Sequence, residues 1–477
     1  MAILSYPTIL FSAALMIAGA AEAATTAGNT AGNTVKNAPT TDAGLQAIVG
    51  KRLHGDRSGA CFAVAVIERK NVRRAYACAD GKDPAPRIGA NTAFEIGSVS
   101  KPMMAAVLAG LIREGKASLD DPLSAYLPED STVPTFEGKP ILLRHIVTHT
   151  SGLPAIPAGI DYDPQNPYSK LDEAALLKAL STTPLAQAPG AKFEYSNFAA
   201  MLLSYAVARR AGSDFETLLD TRVFAPLGMD SSYINRKPDA VKAVIGHTPD
   251  TKVTPAWTFP TDFAGVGGVR STLDDMVRYV QGQFGGAPKP LDADFRLTHA
   301  PVANDAKAPL AMQWMLAPLN GRTFLAHEGG TGGFSSFVAF DPERTSGVVI
   351  LSDTALHARG GLGSLGLHLL DANVPLGKPD TGESAAKPTL ALSADALKAY
   401  AGEYPLMPDF VLTVRAEAGT LTAQATGQGA FPLAATAKDV FEAPNFGIVI
   451  RFRRDAAGKV IALKLEQGGH TLDGTRR

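Results

Sequence analysis

The sequence predicts an α+β protein with an antiparallel sheet flanked by helices, an all-helical region, and a separate small all-β domain at the C-terminal end. Strand-like runs such as "CFAVAVIE" and "VVILSD" lie towards the two ends of residues 41–376. Helical patterns such as "AAMLLSYAVARRAG" dominate between them, so the sheet should be built from both ends of this region. Beyond residue 391, apolar residues alternate in twos between glycine-bearing turns, which is typical of an antiparallel meander or small barrel.

The composition is that of a globular protein without an electrostatic preference for polyanions. The chain has 477 residues, of which 45% are hydrophobic, so it can bury a large core in more than one domain. Its formal net charge is −1, and its basic clusters, such as "RFRRD", are short. We therefore expect neither nucleic acid nor an anionic membrane as a partner. The sequence makes no prediction of oligomeric state.

The N-terminal stretch has the pattern of a secretory signal peptide. An apolar run ends in Ala21-Glu22-Ala23, a small-x-small cleavage pattern, and the run is too short for a membrane span. We expect a periplasmic or secreted protein. The predicted organisation is a signal peptide 1–23, a flexible leader 24–40, a main domain 41–376, a Pro/Gly/Ser/Lys-rich linker 377–391 and an all-β domain 392–477.

Cys61 and Cys78 are the only cysteines of the chain. They lie on two alternating apolar runs joined by a tight polar turn around Lys70 and Asn71, so a hairpin would bring them nearly opposite each other. In an oxidising compartment, a disulfide closing this loop could contribute about 3 kcal/mol. Two buried free thiols are the alternative.

The stretch "FEIGSVSKPMMAAVLAGL" contains the first candidate catalytic pair, Ser98 and Lys101. At the start of a helix, residues three apart share a face, so the lysine amine would lie over the serine hydroxyl. Pro102 fits only near a first turn, where few backbone hydrogen bonds are lost. A Ser-x-x-Lys pattern alone also occurs by chance, but an apolar helix seldom carries a lysine so far from solvent.

A serine nucleophile needs a base, and Tyr195 in "PGAKFEYSNFAAMLL" is the second group that could provide one with Lys101. Amine and phenol titrate near 10.4 and 10, so neither works unperturbed, but a buried pair can share a mobile proton. Asn197 follows closely and could bind a substrate amide or carbonyl. The alternative is a turn with an Asn cap and a packed tyrosine.

A glycine-rich strand supplies the third element, "FLAHEGGTGGFSSFVAF". Glycines interrupt a strand where a ligand must approach the backbone closely, so this edge could form a wall of a cleft. The N–H of Gly330 would then complete an oxyanion hole with that of Ser98. A glycine-rich turn without a ligand is the competing interpretation.

The motifs "SVSK", "YSN" and "HEG", in this order, resemble those of the class C β-lactamase and D,D-peptidase superfamily of penicillin-recognising serine hydrolases. Flanking segments such as "ILLRHIVTHTSGLP" and "AGVGGVRSTLDDMVRYV" extend the resemblance over roughly residues 45 to 355. It implies a β-lactamase/transpeptidase-like sheet flanked by helices. Some peptidases and esterases of this superfamily also append a lipocalin-like β-barrel, which the C-terminal domain resembles.

The resemblance assigns a role to each motif position. Ser98 would be the acylated nucleophile, Lys101 and Tyr195 the proton-handling pair, and Asn197 a substrate-binding residue. The substrate-binding and oxyanion wall would comprise His327, Gly329 and Gly330. True class C β-lactamases typically have Lys-Thr-Gly where this chain has His-Glu-Gly, and a glutamate facing the cleft would repel an anionic substrate.

The expected function is therefore a serine acyl hydrolase that cleaves the amide of β-lactams or D-amino-acid peptides through a Ser98 acyl-enzyme. A carboxylesterase or D-aminopeptidase with the same residues is the alternative. We expect no cofactor and no metal.

The sequence fits two other classes of hydrolase less well. A metalloenzyme would use His145 and His149, four apart in "RHIVTH", but no glutamate follows the first histidine. An α/β-hydrolase would need a Gly-x-Ser-x-Gly elbow, which the sequence does not contain. A catalytically inactive penicillin- or peptidoglycan-binding protein is a further alternative.

Overall fold

The structure is a computed structural model that describes residues 39–477 apart from 158, 161, 164, 186, 303–309, 344, 357–360, 382–389, 408–409, 418, 427–429, 444–447 and 468–469. The predicted signal peptide, its cleavage site after Ala23, and nearly all of the predicted leader lie outside the described residues. The middle of the predicted linker does so as well.

The main sheet is antiparallel and is built from both ends of the first region, as predicted. Within the described residues its spatial order is β2 (Asn71–Cys78), β1 (Cys61–Glu68), β9 (Ser346–Ser352), β8 (Ser335–Asp341), β7 (Arg322–Gly330) and β6 (Met315–Leu319). A smaller sheet contains β3 (Thr92–Glu95), β4 (Lys242–Ala243) and β5 (Arg270–Ser271).

Helices cover both faces of the main sheet and form the region between its two halves. The α-helices among the described residues are α1 (Asp42–Leu53), α2 (Ser100–Arg113), α3 (Leu143–Val147), α4 (Glu173–Thr182), α5 (Asn197–Ala211), α6 (Phe215–Leu219), α7 (Ala225–Leu227), α8 (Leu273–Gln281), α9 (Lys289–His299), α10 (Gly363–Leu370) and α11 (Ala394–Lys398). Short 3₁₀ turns cover Gly97–Val99, Leu123–Tyr126 and Thr261–Val266, and single π turns cover Asp220–Phe224 and Gly282–Gly286.

The alternation of side chains along the strands divides the interior into two layers. On β9, Val348 and Ile350 pack with α1 and α10 on one face of the sheet. Val349 and Leu351 on the same strand pack against the helical region on the other face, which includes α2 and α5. Because side chains alternate between faces along a strand, each position of β7 can be assigned to one of these two layers.

The C-terminal strands form a separate sheet in up-and-down order, which confirms the predicted barrel-like domain. Strand β10 lies beside β17, so the sheet is nearly closed. The strands are β10 (Gly402–Met407), β11 (Phe410–Glu417), β12 (Thr420–Ala425), β13 (Phe431–Ala437), β14 (Val440–Ala443), β15 (Ile448–Arg454), β16 (Val460–Gln467) and β17 (His470–Thr475). This domain has its own apolar core, which includes Leu412, Phe441 and Ile450.

Strands β1 and β2 form the predicted hairpin, and Cys61 pairs directly with Cys78 in its register. A disulfide joins the two residues, and the structure describes no cysteine with a free thiol. No helix in the described ranges is both long and apolar enough to cross a bilayer.

Candidate active site

Ser98 lies in a 3₁₀ turn between strand β3 and helix α2, where the sequence predicted a strand-to-helix junction. The turn depends on Gly97, which has φ +52°. A Cβ atom on this glycine would lie 2.6 Å from the backbone nitrogen of Gly330, closer than real Cβ contacts. Gly97 therefore allows the backbone beside Ser98 to approach strand β7 closely, in a conformation that other residues seldom adopt.

Lys101 is fully buried one turn into the apolar helix α2. Its Nζ atom lies 2.9 Å from Ser98 Oγ, 2.8 Å from Asn197 Oδ1 and 2.6 Å from the Val266 carbonyl oxygen. Asn197 Oδ1 and the carbonyl can only accept hydrogen bonds, whereas a serine hydroxyl can also donate one. A neutral amine in this position donates to the two acceptors and directs its lone pair at the Ser98 hydroxyl.

Burial also determines the charge of the lysine. It lowers the pKa of Lys101 well below the ordinary value of 10.5, because desolvation disfavours the ammonium form. The neutral amine is the form that can accept a proton from serine. Geometry and electrostatics therefore favour the same protonation state.

Tyr195 lies at the same place, with only 3% of its surface exposed. Its ring centroid is 5.0 Å from Lys101 Nζ, and its hydroxyl shares a hydrogen bond with that of Ser98. Burial raises the pKa of Tyr195 above its ordinary value of 10, although the Ser98 hydrogen bond opposes the shift. The structure thus brings Ser98, Lys101 and Tyr195 together and favours the phenol over the phenolate.

Asn197 is the first residue of helix α5, which begins here because the Ser196 hydroxyl caps it by accepting from the Ala199 N–H. The cap directs the Asn197 side chain to the site, where Oδ1 accepts from Lys101 and the amide also shares a hydrogen bond with the buried Tyr168. The carboxamide is therefore already oriented by two partners.

The C-terminal end of strand β7 forms a wall beside Ser98. A Cβ atom on Gly329 would lie 2.0 Å from the Ile96 carbonyl oxygen, so only glycine fits at this contact. Gly329 and Gly330 pair with Ser336 and Ser335 of β8. The predicted wall residues are thus adjacent to the turn that carries the serine.

His327 is buried in the same wall, and its ring centroid is 6.4 Å from that of Tyr195. Nδ1 lies 2.6 Å from the Glu328 carbonyl oxygen, so this nitrogen carries a proton that it donates. Burial lowers the pKa of His327 to about 3, because desolvation disfavours the imidazolium form. A neutral His327 therefore presents an unprotonated Nε2, an acceptor, where Lys-Thr-Gly enzymes have a cation.

Glu328 points to the opposite face of the sheet from His327. Its Oε1 atom accepts hydrogen bonds from the backbone N–H groups of Leu362 (2.9 Å) and Gly363 (2.8 Å), at the start of helix α10. Burial raises the pKa of Glu328 to about 7, while these two hydrogen bonds lower it. The glutamate therefore belongs to the layer of α1 and α10 and does not repel an anion from the site.

The sequence did not predict Tyr168, which contacts Asn197, or the position of His149. In the metalloenzyme alternative, His145 and His149 would share a helical face, but α3 ends at Val147. His145 accepts a hydrogen bond from the Leu142 N–H, whereas His149 stacks on Tyr195. The contact between His149 and Tyr195 joins segments that are distant in sequence, so only the structure reveals it.

The antiparallel sheet and the serine–lysine pair at the start of a buried helix define a serine hydrolase of the β-lactamase and D-alanine carboxypeptidase type. Residues 45–362 match the family model described as β-lactamase, and the chain belongs to this family. The resemblance inferred from the motifs is confirmed. Residues 386–476 match a second model, described as a domain of unknown function, DUF3471.

Three similar proteins illustrate the range of the family. The D-alanyl-D-alanine-carboxypeptidase/endopeptidase AmpH of Escherichia coli is 31% identical over 61% of this chain and 78% of its own length. A β-lactamase of Escherichia coli is 29% identical over 55% of this chain and 75% of its own. Esterase EstB of Burkholderia gladioli is 31% identical over 41% of this chain and 50% of its own length.

A solved structure with the same fold is the β-lactamase/D-alanine carboxypeptidase from Yersinia pestis complexed with citrate. It is 25% identical in sequence, superimposes with a TM-score of 0.54, and covers 65% of this chain and 92% of its own. The predicted fold class is therefore confirmed for the first region.

Proposed function

We propose that this chain cleaves the amide of β-lactams or D-amino-acid peptides through an acyl-enzyme on Ser98. The single observation that carries the proposal is the position of Lys101 Nζ, 2.9 Å from Ser98 Oγ with obligate acceptors at its two other contacts. A serine becomes a nucleophile when a base lies within hydrogen-bonding distance of its hydroxyl.

In the acylation step, the neutral Lys101 amine takes the Ser98 proton while Oγ attacks the substrate carbonyl carbon. The N–H groups of Ser98 and Gly330 stabilise the oxyanion of the tetrahedral intermediate. The C–N bond then breaks, and the leaving nitrogen receives the proton from Lys101 through the Tyr195 hydroxyl. Tyr195 ends this step as the phenol it was at the start.

Deacylation reverses these roles with water as the nucleophile. Water gives a proton to the Tyr195 and Lys101 pair and adds to the ester carbonyl, and the same N–H groups hold the oxyanion. The Ser98 oxygen then leaves and recovers its proton from Lys101. In this scheme the protein needs no cofactor, since every proton moves between groups of the site.

Two features support amide substrates with a D-amino acid or a β-lactam ring. The Asn197 carboxamide is oriented towards the reacting serine by Lys101, and its amide group suits a substrate carbonyl. The similar proteins include the D-alanyl-D-alanine-carboxypeptidase/endopeptidase AmpH and β-lactamases. The neutral His327 in place of a lysine holds a carboxylate less strongly than an ammonium would, which disfavours fast hydrolysis of β-lactams.

Hydrolysis of short acyl esters, as a carboxylesterase, or of D-amino-acid amides, as a D-aminopeptidase, is the second candidate function. It is supported by the similarity to esterase EstB. It is also supported by the neutral His327, because a site without a cation at this position does not depend on a substrate carboxylate. We also propose that the protein works in the periplasm or outside the cell, where the Cys61–Cys78 disulfide would persist.

The test compares specificity constants for four substrates with the purified protein: nitrocefin, a D-Ala-D-Ala peptide, a D-amino-acid amide and p-nitrophenyl butyrate. The proposal expects the peptide or nitrocefin to have the highest kcat/KM, and Ser98→Ala to abolish turnover of all four. A preference for the ester or the amide would establish the second candidate. Turnover that persists in Ser98→Ala would contradict both.

A further inference from the structure

His149 has an unusual backbone conformation directly beside the proposed catalytic tyrosine. Its φ is +52°, a left-handed value that costs a non-glycine residue of order 1 kcal/mol or more. The side chain is fully buried, and this burial lowers the pKa of His149 well below its ordinary value. A strained, buried, neutral histidine is retained only where surrounding contacts hold it in place.

These contacts fall on three successive residues of the segment that carries Tyr195. The His149 carbonyl accepts from the Glu194 N–H at 2.7 Å, and the imidazole stacks on the Tyr195 ring with centroids 4.3 Å apart and an interplanar angle of 28°. Nδ1 accepts from the Ser196 N–H at 3.2 Å. His149 thus contacts the backbone on both sides of Tyr195, at the Glu194 and Ser196 N–H groups, as well as the Tyr195 ring.

Two neighbours fix His149 in turn. The Phe193 ring meets the imidazole edge-on, with centroids 6.1 Å apart. Gln313 lies near the imidazole without a hydrogen bond to it, and its side-chain and backbone N–H groups donate to the carbonyls of Ile146 and Val147, at the end of helix α3. Because Nδ1 accepts an N–H, the neutral ring carries its proton on Nε2.

We propose that His149 is a positioning residue, which holds the Tyr195 ring at Ser98 by stacking on it and by binding the peptide that follows it. The inference rests on the proposed function, in which Tyr195 transfers a proton. Left-handed backbone at position 149 is part of this arrangement, because it directs the carbonyl and the ring of one residue at the same neighbouring segment. His149 touches no reacting atom in this scheme and acts through Tyr195.

A double-mutant cycle with Tyr195→Phe tests the proposal. His149→Asn is the informative variant, because asparagine tolerates a left-handed φ and keeps an acceptor for the Ser196 N–H but removes the stacked ring. With p-nitrophenyl acetate, we expect kcat to fall by about 10- to 100-fold in the wild-type background, with KM changed less than about twofold. In the Tyr195→Phe background the same substitution should lower kcat by less than about threefold.

His145→Asn is the matched control. His145 lies on the same segment, and its Nδ1 also accepts a backbone N–H, that of Leu142, but it has no ring contact with Tyr195. It should change kcat by less than about threefold in both backgrounds. If His149→Asn does not fold, as judged by thermal unfolding, the cycle is run with His149→Phe, which keeps a ring and loses the acceptor; coupling to Tyr195→Phe is expected again.

Equal losses of kcat from the His149 variant in both backgrounds would overturn the proposal, as would an effect on KM alone or no loss at all. The kcat of Tyr195→Phe alone distinguishes failure of the proposed proton-transfer role of Tyr195 from failure of the positioning role of His149. Wild-type kcat in Tyr195→Phe would remove the proposed proton-transfer role and this inference with it. A strongly impaired Tyr195→Phe with additive His149 losses would remove only the inference.

Discussion

Lys101 Nζ lies 2.9 Å from Ser98 Oγ, while the Asn197 and Val266 oxygens occupy its other two hydrogen-bonding directions. Both of these oxygens are acceptors only, so an uncharged amine has its lone pair left for the serine hydroxyl. Burial favours this uncharged form. The proton acceptor for the nucleophile is thus in place before a substrate binds.

Substitution of Lys101 distinguishes a base from a fixed positive charge. Lys101→Met removes the amine at similar volume, whereas Lys101→Arg keeps hydrogen-bond donors and a permanent cation. We expect both variants to lose about 10²- to 10⁴-fold in kcat/KM, because neither can accept the serine proton. Steady-state rates with p-nitrophenyl butyrate check this, with thermal unfolding as the control. Substantial activity in Lys101→Arg would show that a cation suffices.

The pH dependence of kcat/KM identifies whether Lys101 or Tyr195 must lose its proton for the enzyme to act. Lys101 must be deprotonated to act, so activity should rise with pH through its lowered pKa and be level at higher pH. The Tyr195 pKa is raised above 10, so the phenol persists across the plateau. Tyr195→Phe should lower the plateau by about 10²- to 10³-fold and leave the acidic limb in place. Loss of that limb in Tyr195→Phe would instead make the phenolate the base.

Glu328 should make folding stability depend on pH. Its folded pKa of about 7 lies above the ordinary 4.5, so the folded state holds the proton more tightly and stability falls as pH rises between these values. Glu328→Gln keeps an acceptor for the Leu362 and Gly363 N–H groups but cannot ionise. The unfolding temperature of the variant minus that of the wild type should therefore increase from pH 5 to pH 8. A difference independent of pH would contradict the raised pKa.

The Cys61–Cys78 disulfide should stabilise the first domain. It closes a loop with a sequence separation of 17, for which chain entropy predicts about 3 kcal/mol. The double variant Cys61→Ser, Cys78→Ser should unfold at lower denaturant concentration than the oxidised protein, and the reduced wild type should behave similarly. Mass spectrometry of the alkylated protein gives the thiol count as the control. Equal midpoints for oxidised and reduced protein would argue against a stabilising role.

Local patterns were sufficient to predict the elements that carry the site. The run into Gly97-Ser98 followed by an apolar helix predicted the strand-to-helix junction, because glycine and the helical period are local signals. The paired cysteines on alternating runs likewise predicted the β1–β2 hairpin. The order of strands and helices predicted a sheet whose strands come from both ends of the region.

Contacts between distant segments could not be predicted in the same way. His149 reaches Tyr195 only because helix α3 ends at Val147 and the chain then turns into the left-handed region. The alternation along β7 places Glu328 opposite His327, but which face meets the site depends on the packing of α10. Both relationships depend on tertiary packing, which has no local signature.

The most direct test of the central claim is to trap the acyl-enzyme and locate it. The protein is mixed with excess penicillin or p-nitrophenyl butyrate, quenched in acid within milliseconds to seconds, and analysed by mass spectrometry intact and after trypsin digestion. The account predicts one acyl group on Ser98, in the fragment 88–113 because trypsin does not cut before Pro102, and no adduct on Ser98→Ala. Turnover without any covalent adduct, or an adduct on another residue, would contradict it.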